Sequence, residues 1–268
     1  MNTMALRIFD LKEMATPSIF EELLTTGDDL KVLPVTHKVD WYNAKKTLSN
    51  GKINPVACDV FTKEKLVYLF YGRASYYIAQ GVSSRGDESY YPVCFIIDID
   101  SVFMDNVFPF DSGAFANNFY EGFIHKDMDV NDFFLNPDIN FIKNFIKYFY
   151  DSNDNYYRSN CADVVNSDDL SLEIKSYLNM LNNKGKVPFD SRGTAIEIIS
   201  KSSVDLSNNI KAIILPFDFA RTDDTIKRMK SDYNVKIITY PTFGDEPGSY
   251  NSDIRRLLYE YLVEEGLC

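Results

Sequence analysis

Apolar positions in this chain come in short blocks whose spacing switches between strand-like and helix-like periods. Near-continuous apolar runs predict strands over 66–71, 92–99, 210–215 and 235–240. Shorter strands are predicted at 32–36, ending on His37, and around 194–199. Helical periodicity is clearest in Phe141, Ile142, Phe145, Ile146 and Phe149. They form one face after Asn136-Pro137-Asp138, a start with Pro in the first turn and an acid where the helix dipole favours it. A second amphipathic helix is predicted from Ser167, with Leu170, Ile174, Tyr177, Leu178 and Leu181 inward and Gly185 at its end. Further helices are expected from Thr16-Pro17-Ser18, over 41–48 closed by Asn50-Gly51, over 74–80 ended by Gly81, over 223–230, and from near Ser252.

Three stretches carry no clear period. Residues 81–91 are polar and read as a loop. Residues 103–135 are aromatic, acidic and irregular, and read as an insertion. Residues 151–168, rich in Asn, Asp and Ser, read as a linker. The mixture of strands and helices predicts an α+β fold with βαβ character near the C-terminus.

Composition narrows the function. The 39 acidic residues against 28 basic ones give a formal charge of −11, which opposes non-specific attraction to nucleic acid or anionic membrane. Tyrosine is abundant, with 18 copies, and supplies stacking faces with a hydroxyl handle. The four cysteines have no CxxC spacing, which argues against a zinc knuckle or redox pair, and Cys94 reads as a buried thiol. No charged-then-apolar leader opens the sequence, and no apolar run reaches the roughly 18 residues of a membrane helix. The expectation is a soluble, reduced, cytoplasmic protein with no membrane partner.

A few polar residues interrupt the apolar pattern. Glu197 lies between Ala195-Ile196 and Ile198-Ile199, so a strand would turn it to the face opposite its immediate neighbours. It sits either on the wet side of a half-exposed strand or in a cleft, where it would stabilise a cationic centre or hold a sugar hydroxyl. Arg73 follows a strand and Gly72, where the backbone can turn close to a ligand. It is either an exposed turn residue or a bidentate phosphate contact. His37 is either structural or part of a site. Tyr71, Tyr76 and Tyr77 are either core or a stacking surface for a nicotinamide-like ring.

Taken together, Thr36-His37, the helix closed by Asn50-Gly51 and the segment Tyr71-Gly-Arg-Ala-Ser-Tyr-Tyr77 resemble the NAD-binding half of an ADP-ribosyltransferase fold. Arg192-Gly-Thr-Ala-Ile-Glu197 and the apolar run after it resemble that superfamily's last block, which carries the catalytic Glu. The order His, Tyr, Glu is that of the diphtheria-toxin and PARP branch, and the helix-plus-strand arrangement is also similar to DarT-like enzymes. The resemblance covers 32–80 and 190–216. It implies a split β core with helical and aromatic-rich insertions, forming a single domain over 1–268 with an insertion at about 103–185. It implies NAD as substrate, no metal, and a toxin or anti-phage role. The activity implied is cleavage of the nicotinamide–ribose bond, with ADP-ribose passed to a macromolecular acceptor or to water. His37 would hold a ribose, Tyr71 and Tyr77 would flank nicotinamide, Arg73 would contact phosphate, and Glu197 would support the oxocarbenium-like transition state. Ala195 stands where the Arg-modifying branch has a second acidic residue or Gln, which leaves the acceptor open, and the net acidity disfavours nucleic acid.

Two other readings compete. Phe95-Ile-Ile-Asp-Ile-Asp-Ser-Val102 is similar to the nucleophile motif of haloacid-dehalogenase-type phosphatases, in which Asp98 would attack phosphate and Asp100 act as acid/base around Mg²⁺. The same fold would also serve as a non-catalytic sensor or binding module, with the insertion at 103–135 as an interaction surface; within it Phe108-Pro-Phe-Asp-Ser-Gly-Ala-Phe115 either packs on the core, meets a partner or lids the cleft.

Overall fold

The computed structural model describes residues 6–11, 18–21, 27, 29–76, 87–162, 170–182, 191–232 and 234–268. In chain order its elements are β1 (Val35–Asp40), α1 (Trp41–Asn50), β2 (Lys52–Ile53), β3 (Val56–Ala57), β4 (Lys65–Tyr71), β5 (Pro92–Ile97), β6 (Asn106–Phe108), α2 (Ser112–Ala116), α3 (Ile139–Tyr150) and α4 (Asn153–Arg158). They continue with α5 (Leu172–Asn182), β7 (Glu197–Ser200), β8 (Val204–Asp205), β9 (Ile210–Pro216), α6 (Phe217–Thr222), α7 (Asp224–Asp232), β10 (Lys236–Tyr240) and α8 (Asn251–Glu264).

The architecture is mixed α/β around a mixed sheet of order β10-β9-β5-β1-β4-β7-β6, with β3 added on β4. β9 and β10 run parallel, with α6 and α7 between them, which is the expected βαβ character; the other pairs along this path are antiparallel. β5 is buried at every position, as its unbroken apolar run requires. Among the described residues no helix is long and apolar enough to cross a membrane.

Local chemistry sets most of the boundaries. Asp40 caps α1 by accepting from the Asn43 N–H, and Gly51, at φ 67°, closes it in the left-handed region. Asp138 caps α3 by accepting from the N–H groups of Asn140 and Phe141, and the five residues of its predicted face are all buried. Phe20, Phe145, Phe149 and Tyr177 meet nearly edge-on or tilted, with Phe20 and Phe145 centroids 5.3 Å apart at 86°. Such pairs add about 0.5–1.5 kcal/mol each beyond the area they bury.

Several expectations need correction. The first strand runs from Val35 to Asp40, so His37 sits inside it rather than at its end. The stretch 103–135 contributes to both sheet and core: β6 pairs with β7, and Phe108, Phe110, Phe115 and Phe133 are fully or almost fully buried. Residues 151–162 are not a linker. Its Asn, Asp and Ser are boundary residues, with Ser152 capping α4 and Asp151 and Ser159 in the left-handed region that ends α3 and α4. Tyr156 on α4 is fully buried; its hydroxyl donates to the Tyr71 carbonyl and accepts from the Ile196 N–H, both at 2.9 Å. That hydroxyl fastens β4 to the approach of β7 where their ladder ends. Residues Ser191–Thr194 form a 3-10 turn, so the strand begins only at Glu197, and α6 was not predicted. Residues 74–76 are not helical. The rest of that predicted helix lies outside the described residues, as do Thr16, Pro17, Ser167 and Gly185.

Candidate active site

Strand register brings Phe108, Glu197, Phe70, Thr36 and Ile96 opposite one another across β6, β7, β4, β1 and β5. Directly paired residues share a face of a sheet, and residues two apart on a strand share it too. Tyr68 and Lys38 therefore join Glu197 on one face, whereas His37 and Tyr71 belong to the other. Glu197 is 2% exposed and all of β7 is buried, which rules out the wet-side reading of this residue.

The carboxylate is thinly satisfied for so buried a charge. Its Oε2 accepts the Ser112 N–H at 3.1 Å. The Ser112 hydroxyl lies beside it and favours its charged form, yet makes no well-formed hydrogen bond among the described residues. Burial first, and then the charge of Asp111, push the Glu197 carboxyl well above its ordinary range. Asp111 is itself buried. It caps α2 by accepting from Ala114 N–H at 2.8 Å, and its own N–H donates to the Arg192 carbonyl at 3.1 Å. Burial and Glu197 raise the Tyr68 phenol strongly, and its oxygen lies 2.6 Å from the Cys58 sulfur. Tyr76 is 51% exposed, and Arg192, Tyr68 and Cys58 are half-buried, so this side of the cluster meets solvent. Burial raises the Tyr76 phenol, Asp111 adds to the rise, and Arg192 opposes it.

The remaining expected site residues lie elsewhere or serve the scaffold. Arg73, 2% exposed, donates to Thr194 O at 2.9 Å, Thr194 Oγ1 at 2.7 Å, Tyr156 O at 3.2 Å and Ser159 Oγ at 3.0 Å. Its guanidinium thus pins the 3-10 turn before β7 to α4. Gly72 makes the turn that delivers it: φ is 61°, and a Cβ there would strike Leu33. Tyr71 is fully buried and its hydroxyl accepts from the Leu33 N–H. His37 is half-buried, with Nδ1 donating to the Tyr68 carbonyl at 3.0 Å and its ring stacked on Phe95; burial lowers its pKa and favours the neutral imidazole. Tyr77 lies outside the described residues.

Asp98 caps the 3-10 turn after β5 and is ion-paired with Lys211 at 2.6 Å. Its strand, β5, has antiparallel neighbours on both sides. No group of three or more His, Cys, Asp or Glu is placed to hold a metal ion among the described residues. No protein-family model matches this chain, and no curated protein matches it significantly.

Sequence reasoning missed Asp111, Ser112, Tyr68 and Lys38. A signal existed for each pair. Asp111-Ser112-Gly113 is a helix-start pattern in a stretch otherwise read as irregular, and Tyr68 and Lys38 stand at period two from Phe70 and Thr36. Lys38 is 4% exposed and donates to Ala74 O at 3.0 Å and Asn251 Oδ1 at 2.9 Å. Burial brings its pKa down to about 8. Chemically the cluster offers two buried carboxyls, the charge of Asp111 discouraging the ionisation of Glu197. Such a pair favours the arrival of positive charge.

Proposed function

We propose that the chain cleaves the nicotinamide–ribose bond of NAD⁺ at Glu197, as an ADP-ribosyltransferase or NAD glycohydrolase on an ADP-ribosyltransferase-like fold. The observation that carries this reading is the register: Thr36-His37, Tyr71 and Glu197, taken from segments far apart in the chain, stand on neighbouring strands β1, β4 and β7, with Thr36, Phe70 and Glu197 in line. As the bond breaks, nicotinamide leaves with the electron pair and positive charge spreads over C1′ and the ring oxygen. Glu197, driven to ionise by that charge, lies opposite it, and Asp111 adds to the negative potential. The acceptor or a water molecule then bonds to C1′ and gives up its proton to the carboxyl pair or to solvent. In this reading Tyr76, at the exposed side of the cluster, meets the nicotinamide, Tyr68 supports Glu197, and Arg73 holds the turn that precedes β7.

The test is nicotinamide release from NAD⁺ by purified protein, wild type beside Glu197→Gln, without added metal. Release that the variant abolishes supports the reading, and equal release by both proteins rejects Glu197. Phe108, Phe110 and Phe115 pack into the core, so a non-catalytic binding role on this fold would need another surface.

A further inference from the structure

Between α4 and the start of α8 lies an open cavity of about 490 Å³, lined by Arg158, Arg255, Arg256, Asn251, Ser252 and Tyr259 among others. Three guanidinium groups around one concavity are unexpected in a chain with 39 acidic and 28 basic residues. Two of them are anchored. Arg158 Nε bonds both Asp154 oxygens, at 2.9 and 3.1 Å, and stacks its charge over Tyr259. Arg256 reaches Glu260 at 2.7 Å and Asp253 at 3.7 Å. The guanidinium of the exposed Arg255 makes no hydrogen bond or ion pair among the described residues. A guanidinium carries five N–H donors in a fixed fork, so anchoring two of the three still leaves donors for a ligand.

We propose that this cavity binds a small phosphoryl compound, with Arg255 as the principal ligand and Arg158 and Arg256 completing the cradle. Forked guanidinium donors match phosphoryl oxygens bidentately, and the cavity is roomy enough for a diphosphate. The N-terminal end of the 14-residue α8 borders it through Asn251 and Ser252 and adds a favourable dipole. A small ligand fits better than a nucleic acid, whose extended charge the net −11 of the chain would repel. Asn251, in the cavity wall, also accepts from Lys38 Nζ, which ties the site to β1. The inference stands on this cavity alone and does not depend on the reading of Glu197.

Calorimetric titration of the full chain with inorganic pyrophosphate and, separately, with ADP tests it. Saturable binding is expected, weakened at least about tenfold by Arg255→Ala and weakened by added salt. Because Arg255 is exposed, its substitution should leave the melting temperature unaltered, so lost binding cannot be lost folding. ADP at least as tight as pyrophosphate would identify a nucleotide; tighter pyrophosphate would identify an inorganic phosphate chain. No saturable binding of either compound, or an Arg255→Ala affinity within about twofold of wild type, would overturn the proposal.

Discussion

Arg73 and Glu197 are both buried ionisable groups near the junction of β4 and β7, and the fold handles them in opposite ways. Arg73 is surrounded by acceptors: two atoms of Thr194, the Tyr156 carbonyl and the Ser159 hydroxyl. Glu197 has one backbone donor, an ill-placed hydroxyl and a second carboxyl as neighbour. A buried charge with full hydrogen bonding holds a scaffold together. One left short, beside a like charge, lowers stability and is retained where chemistry needs it.

The comparison breaks most visibly through Glu197→Gln, which should cut NAD⁺ cleavage by about 10²–10³-fold or more while leaving the fold intact. Arg73→Met should do the reverse. It strands several buried acceptors and should cost about 3 kcal/mol or more in denaturant unfolding, with activity lost only in proportion to unfolded protein. If Arg73→Met folds normally but fails to turn over NAD⁺, the scaffold assignment of Arg73 is wrong.

Proton linkage sharpens the contrast. The Glu197 pKa is raised in the folded protein, so between the ordinary carboxylate value and the raised one the folded state holds the extra proton. Stability from this group is therefore present at low pH and is lost as pH rises through that window. Glu197→Gln should remove the loss, so the variant should gain on wild type as pH increases. In the proposed reaction the rate runs the other way, with an acid limb set by Glu197 above the usual carboxylate range. Asp111→Asn keeps a good helix cap but removes the like charge, and should move that limb to lower pH in a rate–pH profile.

A smaller effect is expected at Lys38, whose pKa falls to about 8 in the folded protein. The unfolded chain then binds more protons between about pH 8 and the ordinary lysine value, so this group makes stability rise with pH across that interval. Wild type should gain on Lys38→Met over the same interval. Cys94, whose thiol burial pushes up to about 12, opposes the trend equally in both proteins and cancels in their difference.

Elements governed by nearest neighbours were legible in the sequence. The apolar face of α3, the Gly51 stop of α1 and the apolar runs of β4, β5 and β9 need no knowledge of the rest of the chain. Elements that exist only through distant partners were not. β6 has three residues and is a strand because β7 lies beside it, and α4 reads as linker because its Asn, Asp and Ser outnumber its apolar residues. The site divides the same way. Glu197 stood out as a polar break in an apolar stretch, whereas Asp111 and Ser112 reach it only through tertiary packing. Arg73 attracted a ligand role because a Gly-Arg turn at a strand end looks exposed, and nothing local indicates that α4 covers it.

The order of the strands also bears on synthesis. β4 and β6, the two neighbours of β7, both precede it in the chain, so a growing polypeptide carries an empty slot until residues beyond 197 emerge. That slot has an unpaired strand edge on either side, inviting chaperones or wrong partners. Glu197 is the residue that fills its first position. A truncated product or a stalled ribosome would therefore release a sticky fragment whose central sheet lacks the strand that joins β4 to β6.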